Sequence, residues 1–414
     1  MHIGFVTQWF PPEPAIVPFS IASDLAALGH RVDVVTGFPN YPTGRLAPGY
    51  PVRPYRRESP APGVTVHRAP LYPSHGRAAV PRALNYLSFA AGASVVARAA
   101  VGRPDVWLVY SSPATAAIPA VRMLRVRRAP IFLLIQDLWP DSVTDSGFVG
   151  GRAGEIAERS LSSFCQWTYR HAAGVGVISP GMREVLETRG VPADRIHYTP
   201  NWIDDSHLLP ELDRDALDRK ALGLPEGPTW MYAGNLGELQ GLQTLVEAFA
   251  QRPRAHLVLL GDGVAREDLV AQAERLGATN VIFLPRVPTE EVGAYLAASD
   301  AQVVSLQDSP LLRVTMPSKV QAAMAAGRPI LSHAAGDAAE VVTGAGAGWS
   351  AAPGDVASVL AAIDAGLAAT SEELRTRGRA ARDSFETHYS PAVGPQRLAA
   401  ALEAAMTLGP AGRR

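Results

Sequence analysis

Short apolar runs alternate with segments whose apolar residues recur at helical spacing along most of this 414-residue chain. That alternation predicts parallel α/β architecture. Ile3–Thr7 reads as a buried strand, and Val17, Ile21, Leu25 and Leu28 then mark one face of a helix closed by Gly29. Val32–Thr36 is the next expected strand. The stretch Phe38–Pro62 carries Pro39, Pro42, Pro48, Pro51, Pro54 and Pro60, which forbid regular helix. Strands are expected again at Val64–Arg68, Val106–Tyr110, Ile131–Gln136, Gly174–Ile178 and Ile196–Thr199.

The pattern restarts after Pro200. Trp230–Gly234, His256–Gly261, Val281–Leu284, Ala301–Ser305 and Ile330–Ser332 read as strands. Helices around Gly241–Ala250, Arg266–Leu276, Thr289–Ala298 and Ser318–Ala326 separate them. Two such series predict two doubly wound domains with a hinge near Asn201–Pro210. Ligands in such folds sit at the carboxyl ends of the strands, so a site between the domains is expected. No short fixed period repeats, which argues against a solenoid.

Composition narrows the class. Apolar residues make up 47% and charged residues 19%, with mean hydropathy +0.04. The chain is therefore too apolar for disorder and too polar for a multispanning membrane protein. A single cysteine, Cys165, excludes a disulfide framework and fits a reducing compartment. The first residues show no secretory signal, and a cytoplasmic globular protein is expected.

The net charge of −1 hides an asymmetry: residues 1–200 carry 20 Arg, no Lys and 13 acidic residues, while the remainder carries 18 basic and 26 acidic ones. Two readings stay open for the basic half. It suits an anionic lipid surface or anionic acceptor, or arginine simply serves as the solubilising cation. Arginine spread without aromatic interleaving argues against nucleic acid. Leu84–Val101 is apolar but contains Asn85, Ser88 and Arg98. It is unsuited to crossing a bilayer, yet with Arg122, Arg125, Arg127 and Arg128 it could lie on one; ordinary interdomain packing is the rival.

Candidate chemistry concentrates in a few turns. In Met316-Pro317-Ser318-Lys319, Pro317 suits the first helical position, leaving free N–H groups at Ser318, Lys319 and Val320. Such an end, with a hydroxyl and an ammonium in its first turn, fits a phosphate. Lysine occurs only as Lys220 and Lys319, so its placement there is informative. Tyr232-Ala233-Gly234-Asn235-Leu236-Gly237, with Gln240-Gly241, is a strand entering a glycine-rich turn, and Gly261-Asp262-Gly263 is a second one. Either turn lets backbone approach a diphosphate.

In the first half, Gln136-Asp137-Leu138-Trp139-Pro140-Asp141-Ser142 follows an apolar strand, where two carboxylates and an indole could orient a sugar. The alternative is capping by Asp141 with Trp139 as a core plug. Gln8-Trp9-Phe10-Pro11-Pro12-Glu13-Pro14 is a proline-stiffened loop with an acid, Glu13. Asp213-Arg214-Asp215 reads as helix capping rather than a metal motif, and no histidine spacing suggests zinc, so no metal site is expected.

Trp9-Phe10-Pro11-Pro12-Glu13-Pro14, Gly37-Phe38-Pro39-Asn40-Tyr41-Pro42-Thr43-Gly44, Asp137-Leu138-Trp139-Pro140-Asp141-Ser142, Ile178-Ser179-Pro180-Gly181, Tyr232-Ala233-Gly234-Asn235 and Pro317-Ser318-Lys319 occur in this order. Together they resemble glycosyltransferase family 4, a retaining GT-B family, and within it the cell-envelope branch similar to N-acetyl-L-fucosamine transferases. The resemblance implies two Rossmann-like domains facing across a cleft. The acceptor-side domain would comprise 1–203 with a returning helix in 391–414, and the nucleotide-sugar domain 204–390. Ser318 and Lys319, with Pro317, Val320, Gly234, Asn235, Gln240, Gly261 and Gly263, would surround the donor diphosphate. Backbone around Arg286 would hold the base, and Asp137 would lie near the reacting sugar. The family's pair of glutamates eight positions apart falls at Val314 and Ala322, which leaves Lys319 and Arg313 to neutralise the diphosphate.

The expected activity is metal-independent, retaining transfer of an amino or deoxy sugar from a nucleotide diphosphate donor, UDP-linked, to a hydroxyl acceptor. That acceptor is a lipid-linked saccharide or a small molecule. Asp137, Lys319 and Glu13 are the expected catalytic residues. A non-catalytic accessory subunit and a nucleotide-sugar epimerase stay open as alternatives. A nicotinamide dehydrogenase is disfavoured, because Gln8-Trp9-Phe10-Pro11 stands where its glycine fingerprint would follow the first strand.

Overall fold

A computed structural model describes residues 1–51, 53–76, 78–144, 151–208 and 216–409. Asp213-Arg214-Asp215 lies outside the described residues. The chain forms two compact units: Met1–Asn201 with Gly394–Arg414, and Trp202–Val393.

The first unit is built on β1 (His2–Val6), β2 (Arg31–Gly37), β3 (Arg56–Ala61), β4 (Val64–Ala69), β5 (Val106–Ser111), β6 (Ile131–Ile135), β7 (Gly174–Val177) and β8 (Ile196–Tyr198). Their order is β3-β4-β2-β1-β5-β6-β7-β8. All pairs are parallel except β3 with β4. The helices are α1 (Ile16–Ala27), α2 (Ala79–Ala100), α3 (Ala117–Arg127), α4 (Asp141–Thr144), α5 (Gly151–His171) and α6 (Pro180–Thr188). Every residue of β6 is buried, as a strand covered on both faces requires. Gly4 stands opposite Trp107 in the ladder, and a Cβ there would meet the indole at 2.6 Å. The missing side chain gives the buried Trp107 ring its place.

β3 was not foreseen, because it contains Pro60. A proline is tolerated there because the strand is antiparallel and at the sheet edge, and its register breaks between Glu58 and Ala61.

The second unit orders β9 (Thr229–Ala233), β10 (His256–Leu260), β11 (Val281–Leu284), β12 (Ala301–Ser305), β13 (Ile330–His333) and β14 (Gly348–Ala351) as β11-β10-β9-β12-β13-β14. All its pairs are parallel. This is the doubly wound order, with its switch point between β9 and β12. Trp230 and Tyr232 join the core layer of Phe249 and Leu257, whereas Met231 joins that of Val304, Met324 and Phe385. Alternation along one strand thus fills both faces. β14 escaped the sequence reading because Gly348-Trp349-Ser350-Ala351 is too short and mixed to stand out.

Between these strands run α7 (Leu242–Ala250), α8 (Arg266–Leu276), α9 (Thr289–Ala297), α10 (Pro310–Arg313), α11 (Ser318–Ala325) and α12 (Asp337–Gly344), and α13 (Val356–Ala368) and α14 (Ser371–His388) follow β14. The final helix, α15 (Gly394–Leu408), packs on α1, β5, β6 and β7 of the first unit.

Candidate active site

In the second unit, three turns meet at the switch point. β9 ends at Ala233 and its chain turns through Gly234, whose φ is +141°. The Gly234 N–H donates to the Leu260 carbonyl at 2.9 Å, and the Leu236 N–H to that of Asp262 at 2.9 Å. A Cβ on Gly261 would lie 2.0 Å from the Gly234 carbonyl oxygen, and one on Gly263 2.4 Å from that of Leu236. The two glycine turns are therefore stacked backbone to backbone, a packing that side chains would prevent.

Lys319 lies against this stack. A Cβ on Gly234 would stand 2.7 Å from its Cε. Its ammonium donates to the hydroxyl of Tyr232 and sits 4.4 Å from the centre of that ring. The Tyr232 hydroxyl in turn donates to the Asn235 carbonyl at 2.7 Å. No carboxylate pairs with Lys319 among the described residues. Burial without an anionic partner pushes its pKa down to about 8.

Two details of the expected helix start are corrected. Pro317, with φ −70° and ψ 143°, is the residue before the helix rather than its first member. The Val320 N–H is taken by the Pro317 carbonyl at 3.0 Å. The N–H groups left for a ligand are those of Ser318 and Lys319, beside the exposed Ser318 hydroxyl.

Gln240 turns out to be a loop brace: its Oε1 accepts the Gly237 N–H at 3.0 Å, and its carbonyl accepts the Ser305 hydroxyl. Ser305 also meets His333 Nδ1 at 2.8 Å, and His333 Nε2 accepts the Gly354 N–H at 3.0 Å. Because Nε2 receives a proton, Nδ1 carries the imidazole's own and donates it to Ser305. Burial holds this ring neutral, with its pKa pushed down to about 4. Tyr232, Ser305 and His333 were not singled out as functional. The available signal was polar residues at the ends of buried strands, and Ser305 and His333 are in register across β12 and β13.

Arg313, expected at the diphosphate, is exposed and grips Asp308 with two hydrogen bonds of 2.6 and 2.7 Å. Arg286 is exposed beyond β11, the edge strand, and β10 separates that strand from β9.

In the first unit the switch point lies between β1 and β5. Asp137, in the turn after β6, accepts the Ser112 hydroxyl from the turn after β5 at 2.6 Å. Asp137 is exposed as a residue, yet protein atoms crowd around its carboxylate, and this desolvation raises its pKa. Leu138 rather than Trp139 is the buried plug. Trp139 is half-buried with its ring centre 6.0 Å from that of Tyr86. Asp141 pairs with Arg189, whose guanidinium also donates to the Trp139 carbonyl at 2.7 Å. Gln136 and Asn201 exchange two amide hydrogen bonds of 3.1 and 2.8 Å.

Glu13 requires reassignment from the catalytic role expected for it. It is buried, and its oxygens accept the N–H groups of Phe10 at 3.0 Å, Asn40 at 2.8 Å and Tyr41 at 2.8 Å. Burial outweighs these bonds and raises its pKa. A carboxylate so occupied ties the loop after β1 to the loop after β2. The same loops present Trp9 and Tyr41, with ring centres 5.5 Å apart, and Tyr41 meets His75 edge-on at 4.6 Å.

Comparison with known proteins identifies the family and the fold. Residues 16–202 match the glycosyl transferase 4-like domain, and residues 214–383 match the glycosyl transferases group 1 domain. WcaI of Escherichia coli (strain K12), named for glycosyl transfer in colanic acid biosynthesis, is 30% identical over 312 residues, covering 73% of this chain and 75% of WcaI. The 2-deoxystreptamine glucosyltransferase of Streptomyces kanamyceticus is 24% identical over 388 residues, covering 88% of this chain and 93% of that enzyme. Among solved structures, Anabaena HepE in complex with UDP superimposes with TM-score 0.71 at 17% identity, covering 97% of this chain and 100% of HepE. Sucrose-phosphate synthase from Thermosynechococcus elongatus superimposes with TM-score 0.72 at 19% identity, covering 97% of this chain and 98% of that one. The chain belongs to glycosyltransferase family 4: it is a transferase of GT-B fold that takes a nucleotide-sugar donor, with a 4-like amino-terminal domain and a group 1 carboxy-terminal domain.

Proposed function

We propose that this enzyme transfers an amino or deoxy sugar from a UDP-linked donor, with retention at the anomeric carbon, to a hydroxyl of a lipid-linked saccharide at a membrane surface. The observation that carries the reading is Lys319: a half-buried cation without a carboxylate partner, set against two stacked glycine turns and beside two free backbone N–H groups. The name of WcaI supports an envelope polysaccharide and the UDP complex of HepE supports the base. The branch similar to N-acetyl-L-fucosamine transferases is the subgroup these features favour.

In the reaction, the bond from the anomeric carbon to the diphosphate breaks with its electron pair going to phosphate oxygen. A new bond forms from the acceptor oxygen. Charge grows on the leaving group, and Lys319 with the Ser318 and Lys319 N–H groups meets it, which is the kind of term that usually dominates such rates. Asp137, made more basic by its surroundings, accepts the acceptor hydroxyl's proton. This reading asks for no metal ion.

The test is thermal stabilisation by UDP-, GDP-, TDP- and ADP-sugars, since a ligand that binds only the folded state raises its apparent stability. Stabilisation by the uridine series alone, lost in Lys319→Ala, is expected. Preference for another base would overturn the donor assignment, and an epimerised donor with no transfer product would overturn the reaction.

A further inference from the structure

The ring and the hydroxyl of Tyr232 have different surroundings. The ring belongs to the core: it lies near the end of β9, fully buried, in one layer with Phe249 and Leu257. Phenylalanine would fill that space as well, so packing accounts for the ring and not for the hydroxyl. A buried hydroxyl is tolerated where it is hydrogen-bonded, and both bonds of this one lead to the turns around Lys319. It donates to the Asn235 carbonyl at 2.7 Å, in the turn after β9, and it meets the Lys319 ammonium, in the first turn of α11. Proton count fixes both directions. A carbonyl has no proton to give and an ammonium has no lone pair. The hydroxyl therefore spends its single proton on Asn235 and accepts from Lys319.

We infer that Tyr232 is a positioning residue of the donor site: its hydroxyl is a neutral acceptor that holds the Lys319 ammonium beside Gly234 and leaves two ammonium N–H bonds for the diphosphate. Neutrality matters here. A carboxylate in the same place would hold the lysine more strongly, but it would also cancel the charge that attracts the leaving group. Burial raises the pKa of the Tyr232 hydroxyl above its ordinary value, so the acceptor stays uncharged wherever the enzyme works. Among the described residues Tyr232 is the titratable side chain that contacts Lys319, and burial is what shifts the lysine. This role rests on the reading of Lys319 as the diphosphate cation.

The test exploits the scarcity of lysine. The chain contains only Lys220 and Lys319. Labelling lysine with carbon-13 at Cε therefore allows direct NMR titration of Lys319, its signal assigned by its loss in Lys319→Met. Tyr232→Phe keeps the ring that fills the core, and a urea melt checks that the variant folds. Its Lys319 should titrate about one pH unit below the parent's value of about 8, as loss of a hydrogen bond to a charged group implies. The alkaline limb of kcat/KM should move down with it. The deficit in UDP affinity should grow about fivefold between pH 6 and pH 8, because the variant lysine then loses most of its charge and the parent's only half. An unmoved titration in the folded variant overturns the inference. So does a deficit that is equal at both pH values, since the hydroxyl would then serve the Asn235 turn alone. If Lys319→Met binds UDP as tightly as the parent while the titration still moves, the diphosphate reading fails and the hold of Tyr232 on Lys319 stands.

Discussion

Gly234 and Lys319 occupy one space: a methyl group on the glycine would stand 2.7 Å from the lysine Cε. The pair joins the turn after β9 to the start of α11, two segments 85 residues apart in sequence, and the ammonium lies over the Tyr232 ring.

Gly234→Ala therefore separates two effects. The φ of +141° penalises any side chain, and about 1–2 kcal/mol of stability is expected to go. The lysine end is flexible and yields to the methyl group, so the larger consequence is a displaced ammonium and at least about tenfold weaker UDP binding, a loss of roughly 1.4 kcal/mol. Calorimetric titration measures it. Unchanged UDP affinity would remove Lys319 from the diphosphate site.

Lys319 is also expected to set the alkaline limb of activity. With its pKa near 8, kcat/KM for the donor should fall as pH rises through that value, and Lys319→Arg should move the limb to higher pH. The stability sign is opposite to that of a paired lysine. Folding penalises the charged form, so the cost is fully present below pH 8 and disappears as pH climbs past 10.5. Lys319→Met should thus raise the unfolding free energy at pH 7, by about 1 kcal/mol after allowing for partial exposure, while abolishing turnover. Denaturant melts at pH 7 and steady-state rates check both halves.

His333 predicts an acid-sensitive carboxy-terminal unit. Its folded pKa of about 4 lies below the ordinary 6.5, so its contribution is complete above 6.5 and is lost as pH falls toward 4. Between pH 7 and pH 5 about 2 kcal/mol should go, on the linkage of 1.36 kcal/mol per pKa unit. His333→Gln should flatten that slope in urea titrations. An unchanged slope would locate the acid sensitivity elsewhere.

For Glu13 the discriminating comparison is Ala against Gln. Glu13→Ala leaves three N–H groups, two of them buried, without an acceptor, and about 3 kcal/mol of destabilisation is expected. Glu13→Gln keeps one carbonyl oxygen and should cost less, with turnover retained in whatever remains folded. A Gln variant that folds normally but has lost turnover would return Glu13 to the chemistry.

The alternation of apolar runs with helical spacing was sufficient to read two doubly wound layers, because parallel strands buried on both faces must be continuously apolar and their crossover helices amphipathic. β6 and β10 were legible for that reason. β3 and β14 were not, since edge strands escape the rule and tolerate Pro60 and Gly348. Local chemistry was legible where one short segment carries it, as with Pro317-Ser318-Lys319 and the glycine turns.

What the sequence could not contain is which distant groups share a space. Glu13 looked like a free acid until the loop after β2 supplied two of its N–H donors, and the pairing of Arg313 with Asp308 was equally out of view. Tyr232, Ser305 and His333 acquired roles only when β9, β12 and β13 were laid side by side. Periodicity is a property of neighbours along the chain and determines which elements form. Burial, pairing and pKa are properties of neighbours in space, and only the folded sheet decides them.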